Sequence, residues 1–167
     1  MSKSAAVGWF LVLAIVAAGA VIVPRYVHDE RADRYADVLA RGNQMEAEQR
    51  EGEAAIIYAA ALDDPQLGQD HRAELRYRLA RAQIAGNDLN GALGTLQELI
   101  EDDVKRLNLD LGPLFLDLGD RFAKAGNTAL AKNSFMMGRG VSPLRFEEFS
   151  RRLERLLPPA SAPAGDR

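Results

Sequence analysis

Candidate chemistry in this sequence begins with its acids. Asp63–Asp64 and Glu101–Asp102–Asp103 set carboxylates side by side, the pairing that acid–base hydrolysis of glycosides uses. Both runs fall between stretches of helical periodicity, where solvated turn carboxylates are the ordinary outcome. His28 and His71 are too far apart for the usual zinc spacings. The chain has no cysteine, which removes disulfides, thiolate zinc ligands and thiol catalysis together. Gly138–Arg139–Gly140 is not a phosphate-cradling fingerprint, and no Gly-x-Ser-x-Gly elbow occurs. His71, Arg72, Arg76, Arg78 and Arg81 make one stretch basic, but Glu74 breaks it and a solvated helix face is the simpler account. The expectation is therefore a non-enzyme without catalytic residue, cofactor or metal.

Charge narrows the partners. The 167 residues carry a net charge of −3. Residues 1–27 contain Lys3 and Arg25 and no acid, so the rest holds 19 basic against 24 acidic side chains. An acidic domain lacks the basic face that replaces counterions on nucleic acid, so no nucleic-acid partner is expected.

From Ala5 to Val23 no residue is charged. A helix of that length spans about 28 Å, close to the hydrocarbon thickness of a bilayer. Trp9 and Tyr26 sit near its ends, where amphipathic rings favour the interface. Residues 1–27 are read as a retained membrane anchor, contacting lipid through 5–23. Two readings compete: a signal peptide cleaved near Ala18–Gly19–Ala20, and a buried core helix. The count of positive flanks favours a cytoplasmic C-terminal domain, whereas an apolar run this near the amino terminus resembles an export signal. The outward orientation is preferred. Ala14, Ala17, Ala18 and Val21 offer small side chains to another transmembrane helix, although alanine is common throughout this chain.

Behind the anchor, three stretches align with one another. They start at Val38, Arg76 and Leu114. A small residue recurs early in each, at Gly42, Ala80 and Gly119, and a second later, at Ala54, Ala92 and Ala131. Both series have intervals of 38 and 39 residues, which argues for a repeat. Apolar residues recur at helical spacing, first on one helix and then on another. In the third stretch Phe115, Leu118 and Phe122 mark the first helix, and Leu130, Ala131, Phe135 and Met136 the second. Gly126–Asn127 is the turn, where the chain needs φ > 0. Gly119 and Ala131 are expected to face each other, because helices approach closely only where side chains are short.

This pattern resembles the tetratricopeptide repeat (TPR). Phe115, Leu118–Gly119, Phe122, Gly126, Ala131, Phe135 and Pro143 match the family's signature positions. The second stretch matches at Leu79–Ala80, Ala92 and Leu96, with Asn87 in place of the turn glycine. The first matches at Gly42, Ala54, Tyr58, Ala61 and Pro65 and lacks that glycine. The family period is about 34 residues, and the surplus is placed in the connections 63–70 and 101–112. With the anchor, the resemblance gives an all-α expectation: a single transmembrane helix, then about three TPR-like hairpins over 28–157 and a C-terminal capping helix. Ser142 and Pro143 open that last helix, with Phe149, Leu153, Leu156 and Leu157 as its apolar stripe. The tail 158–167 lacks the apolar content to fold.

A TPR array presents the first helix of each hairpin on its concave side. The resemblance therefore implies that Asn43 and Glu46, then Glu74, Tyr77, Arg81 and Ile84, then Leu116, Asp120 and Lys124 line a groove for a protein or peptide. Leu39 occupies the place of the lysine that clamps a terminal carboxylate in some relatives, so that mode is not expected. The chain also looks like single-pass TPR proteins of the bacterial inner membrane with a periplasmic domain. Two functional classes follow: an anchored adaptor that recruits partners in envelope assembly, secretion or chaperoning, and a permanent accessory subunit of a larger membrane complex.

Overall fold

Helical periodicity resolves into seven α-helices among the described residues, which in this computed structural model are 32–102 and 109–156. α1 covers 32–47, α2 Glu51–Leu62, α3 Gln69–Ala85 and α4 Leu89–Asp102. α5 covers Gly112–Lys124, α6 Thr128–Val141 and α7 Phe146–Leu156, the last entered through a 3-10 turn at Pro143–Arg145. The all-α expectation holds among these residues. The expected anchor at 1–27 and the tail 158–167 lie outside the described residues. No helix among the described residues is long and apolar enough to cross a membrane. The chain divides into two units, Met1–Ala40 and Arg41–Arg167. In the first, residues 32–40 are helical. The second starts with the last turns of α1, and in it α2 packs on α3, α3 on α4, α5 on α6 and α6 on α7.

Three turns share one construction. Gln49, Asn87 and Gly126 take φ of 59°, 64° and 78°, at the intervals of 38 and 39 residues already seen in the sequence. At each, the left-handed residue bonds the carbonyl three back and the next residue bonds the carbonyl five back. Gln49 N–H reaches the Glu46 carbonyl at 3.0 Å and Arg50 N–H the Met45 carbonyl at 2.9 Å. Asn87 and Asp88 repeat this on Ile84 and Gln83, and Gly126 and Asn127 on Ala123 and Phe122. The pattern is a Schellman closure, which satisfies the last carbonyls of a helix. Asp88 Oδ1 then accepts Gly91 N–H at 3.0 Å, and Asn127 Oδ1 accepts Leu130 N–H at 3.2 Å, each capping the following helix. Arg50 has no such oxygen and turns its guanidinium to Glu48 and Glu53 instead.

The first hairpin thus lacks a turn glycine yet makes the same turn, forcing Gln49 into a conformation that L-residues avoid. Gln49→Gly should stabilise the protein by about 1 kcal/mol, once the extra chain entropy of glycine is set against the relieved strain. A thermal melt should move up by about 3 °C; an unchanged or lower midpoint would speak against a left-handed residue there.

Close helix contact follows the small residues. A Cβ added at Gly42 would lie 2.2 Å from Tyr58 Cε1, and one added at Gly119 would lie 2.3 Å from Phe135 Cε1. Each ring lies sixteen positions after its glycine, and Leu96 stands in the same relation to Ala80. Ala80, Leu96 and Tyr58 are fully buried, and Phe135 is 1% exposed. Gly119 therefore meets the Phe135 ring first, and the flat ring fills the space that the glycine opens. Ala131 is fully buried in its own right. Met136, one of the apolar residues that mark α6, is 49% exposed, and Gly138 takes the inward position under Phe149 and Phe115.

α7 closes the described chain on α6. Phe149 is fully buried, its ring 6.5 Å from that of Phe135 and tilted by 56°. Leu153 and Leu156 pack beside it, while Glu147, Arg151, Glu154 and Arg155 face solvent. Pro143 opens the 3-10 turn that leads into α7. Ser142 precedes that turn, but its hydroxyl does not cap it as expected. It donates to Asp110 Oδ1 at 2.8 Å.

Side chains from the helices also fasten the connections. Arg72 in α3 donates to the carbonyls of Leu62, Asp64 and Leu67, so one guanidinium holds the end of α2 and the segment after it. Asp110 accepts from Gly112 N–H at 2.9 Å, from Ser142 and from Arg145 Nε at 3.0 Å. Burial pushes the Asp110 carboxyl up, but Ser142, Arg145 and Gly112 outweigh it and hold the group below its ordinary value. A depressed carboxylate stabilises the fold above its unfolded pKa of about 3.9 and stops doing so as pH falls through the folded value. Asp110→Asn should therefore be less stable than the parent at neutral pH, with the gap closing as pH drops below about 4. Urea titrations at several pH values would check this; a gap independent of pH would place the contribution outside the Asp110 charge.

Candidate partner-binding surface

The expected groove residues separate into two groups. Ile84 and Leu116 are 2% and 7% exposed and belong to the core. α5 is apolar on more than one face because it touches α3, α4 and α6, and Leu116 is taken up by that packing. Asp120 is held by α7: Arg152 Nε donates to both its carboxylate oxygens at 3.0 Å. Lys124 is exposed at the end of α5 and joins no ion pair among the described residues.

The remaining five, Asn43, Glu46, Glu74, Tyr77 and Arg81, come together on α1 and α3. Positions 74, 77 or 78, and 81 fall on one side of α3 by helical spacing. Arg78 Nη1 donates to Asn43 Oδ1 at 2.8 Å, and its Nε donates to Glu74 Oε1 at 2.8 Å. Arg81 donates to Glu46 Oε2, while Tyr58 donates its phenol to Glu46 Oε1 at 3.2 Å. Tyr77 is half-buried against the core. Arg78 links the two helices, a role the sequence reading missed when it assigned this residue to a solvated basic face. Its spacing of four from Glu74 was the available signal.

Burial disfavours the Arg78 charge, but Glu74 and the Tyr58 oxygen more than offset it, and the pKa is raised. The Tyr58 phenol is also pushed up, first by burial and then by the Glu46 charge. Arg78 stays charged and Tyr58 stays protonated at neutral pH. The surface thus offers fixed donors and acceptors in alternation.

Compared with protein-family models, with curated proteins and with solved structures, the chain finds no match.

Asp63 and Glu101 are exposed at helix ends, and Asp64 Oδ1 accepts Gln66 N–H. Asp103 and His28 lie outside the described residues. Gly138–Arg139–Gly140 forms the last turn of α6. No group of three or more potential ligands that could hold a metal occurs among the described residues. What the α1–α3 surface can do chemically is exchange ion pairs. An exposed pair such as Glu46–Arg81 is worth at most about 1 kcal/mol, so a partner's charge can replace one side of it at small cost.

Proposed function

We propose that this chain is a membrane-anchored TPR-type scaffold, held in the bacterial inner membrane by residues 5–23, with its helical domain on the periplasmic side. Its task is to recruit a protein partner through the α1–α3 surface. One observation carries the reading: left-handed turns at 49, 87 and 126 and small-against-large contacts at 42/58 and 119/135 keep the sequence period. A chain built from repeated hairpins with a closing α7 is a means of displaying a surface, since each unit adds area without adding a separate core. The alternation of Arg78, Arg81, Glu46 and Glu74 beside the half-buried Tyr77 suits a peptide carrying both charges and an apolar anchor.

The experiment is affinity capture of the full chain in mild detergent, compared with Tyr77→Ala/Arg81→Glu. The parent should retain a defined partner and the double variant should lose most of it, with helix content by circular dichroism unchanged. Equal capture by both would remove the α1–α3 surface from the mechanism.

A further inference from the structure

α2 carries more apolar surface than its packing uses. Residues 54–62 read Ala-Ala-Ile-Ile-Tyr-Ala-Ala-Ala-Leu without a polar side chain except the Tyr58 hydroxyl. A helix apolar on every side is ordinarily enclosed. Here Ala54 and Tyr58 are buried, while Ile56 is 69% exposed. Gly52, Ala55, Ile56 and Ala59 of α2 line a cleft of about 270 Å³ together with Leu79, Ala82 and Gln83 of α3 and Gly86, which caps it. Its walls are mostly glycine and alanine, so a third helix could approach both backbones closely. None of these residues belongs to the α1–α3 polar surface.

The ends of α2 define what fits. Asp88 lines the cleft at the α3–α4 turn, and Glu51 Cβ lies 3.7 Å from the position of a Cβ added at Gly86. Neither carboxylate joins an ion pair among the described residues. Beyond the other end of α2 stand Asp63 and Asp64. A second copy laid antiparallel on α2 would set Glu51 against these acids, Glu53 being already paired with Arg50, and a parallel copy would set Glu51 against itself. Both arrangements are repulsive. An anionic lipid surface meets the same opposition.

We propose that the α2–α3 cleft docks one amphipathic helix of a partner protein, with small and branched side chains seated beside Ile56 and a basic end at the Glu51–Asp88 rim. The site stands on this cleft alone and does not depend on the α1–α3 surface.

The test uses the full-length chain in zwitterionic nanodiscs and a stapled helical peptide with an Ala/Leu stripe. One version of the peptide ends in lysines and its twin ends in glutamates. The lysine peptide should bind about tenfold or more tightly than its twin. Ala59→Arg, which places a cation on an exposed cleft wall, should weaken it by about tenfold, while Arg81→Glu should leave it unchanged. Ile56→Cys gives this cysteine-free chain a single thiol for an environment-sensitive dye. The dye should report an exposed site until the lysine peptide is added. Equal affinity for the twins, binding of neither, or indifference to Ala59→Arg would overturn the proposal. Disulfide dimers through the Ile56→Cys thiol would give the cleft to a second copy, and a buried dye signal without peptide would give it to lipid or to another part of this chain; either result also overturns it.

Discussion

Phe135→Ala should lower the free energy of unfolding by about 3–5 kcal/mol, the range for deleting a fully buried aromatic ring. The ring is 1% exposed, lies on Gly119 and stands tilted against Phe149. Its loss weakens the packing of α6 on α5 and on α7 at once. No neighbouring side chain can fill the space readily, because the position opposite is a glycine. Chemical denaturation should show the loss as a lower midpoint with little change in slope. Phe146→Ala is the control. That ring is 50% exposed with Arg139 over it at 5.4 Å, and its removal should cost under about 1 kcal/mol. Similar losses in the two variants would mean that Phe135 is not the packing centre described.

Gly119→Val should destabilise by about 3 kcal/mol, at the upper end of what overpacking a filled core costs. The first added carbon would fall 2.3 Å from Phe135 Cε1 and 2.7 Å from Cζ, closer than non-bonded atoms come. The β-branch forbids the ring a simple slide, and α5 gains little helix propensity in return. The diagnostic is a reversal in combination. Phe135→Leu alone should destabilise, whereas in the Gly119→Val background it should recover roughly half of the loss, since coupled neighbours are non-additive. Additive effects would show that residues 119 and 135 do not touch.

The repeat was legible because its signals are local. Paired helices, their turns and the 38- and 39-residue intervals come from spacing along the chain, and so does the Gly126–Asn127 break. Asn87 was recognised as an exception to the glycine rule, and its positive φ explains why asparagine serves there: a short polar side chain tolerates the left-handed region. Gln49 carried no such mark, since nothing in its type favours that conformation. Contacts across helices were harder to read. Small residues are expected to meet each other, and the structure adds that a large ring fills the space over a small residue, as Phe135 does over Gly119. The resemblance sets Ile84 and Leu116 on a groove, yet both belong to a buried cluster that draws on α3, α4, α5, α6 and α7 together, and no spacing within one hairpin encodes where the other helices lie. The same reason hid the role of Arg152, which binds Asp120 from thirty-two positions away.

One hairpin design, closed by one left-handed residue, occurs three times among the described residues. Backbone chemical shifts of the isotope-labelled full-length protein test it most directly. The account predicts helical shifts through 32–47, 51–62, 69–85, 89–102, 112–124 and 128–141, with single left-handed signatures at Gln49, Asn87 and Gly126. Helical shifts running unbroken through Gln49, or extended shifts within any of those segments, would contradict it.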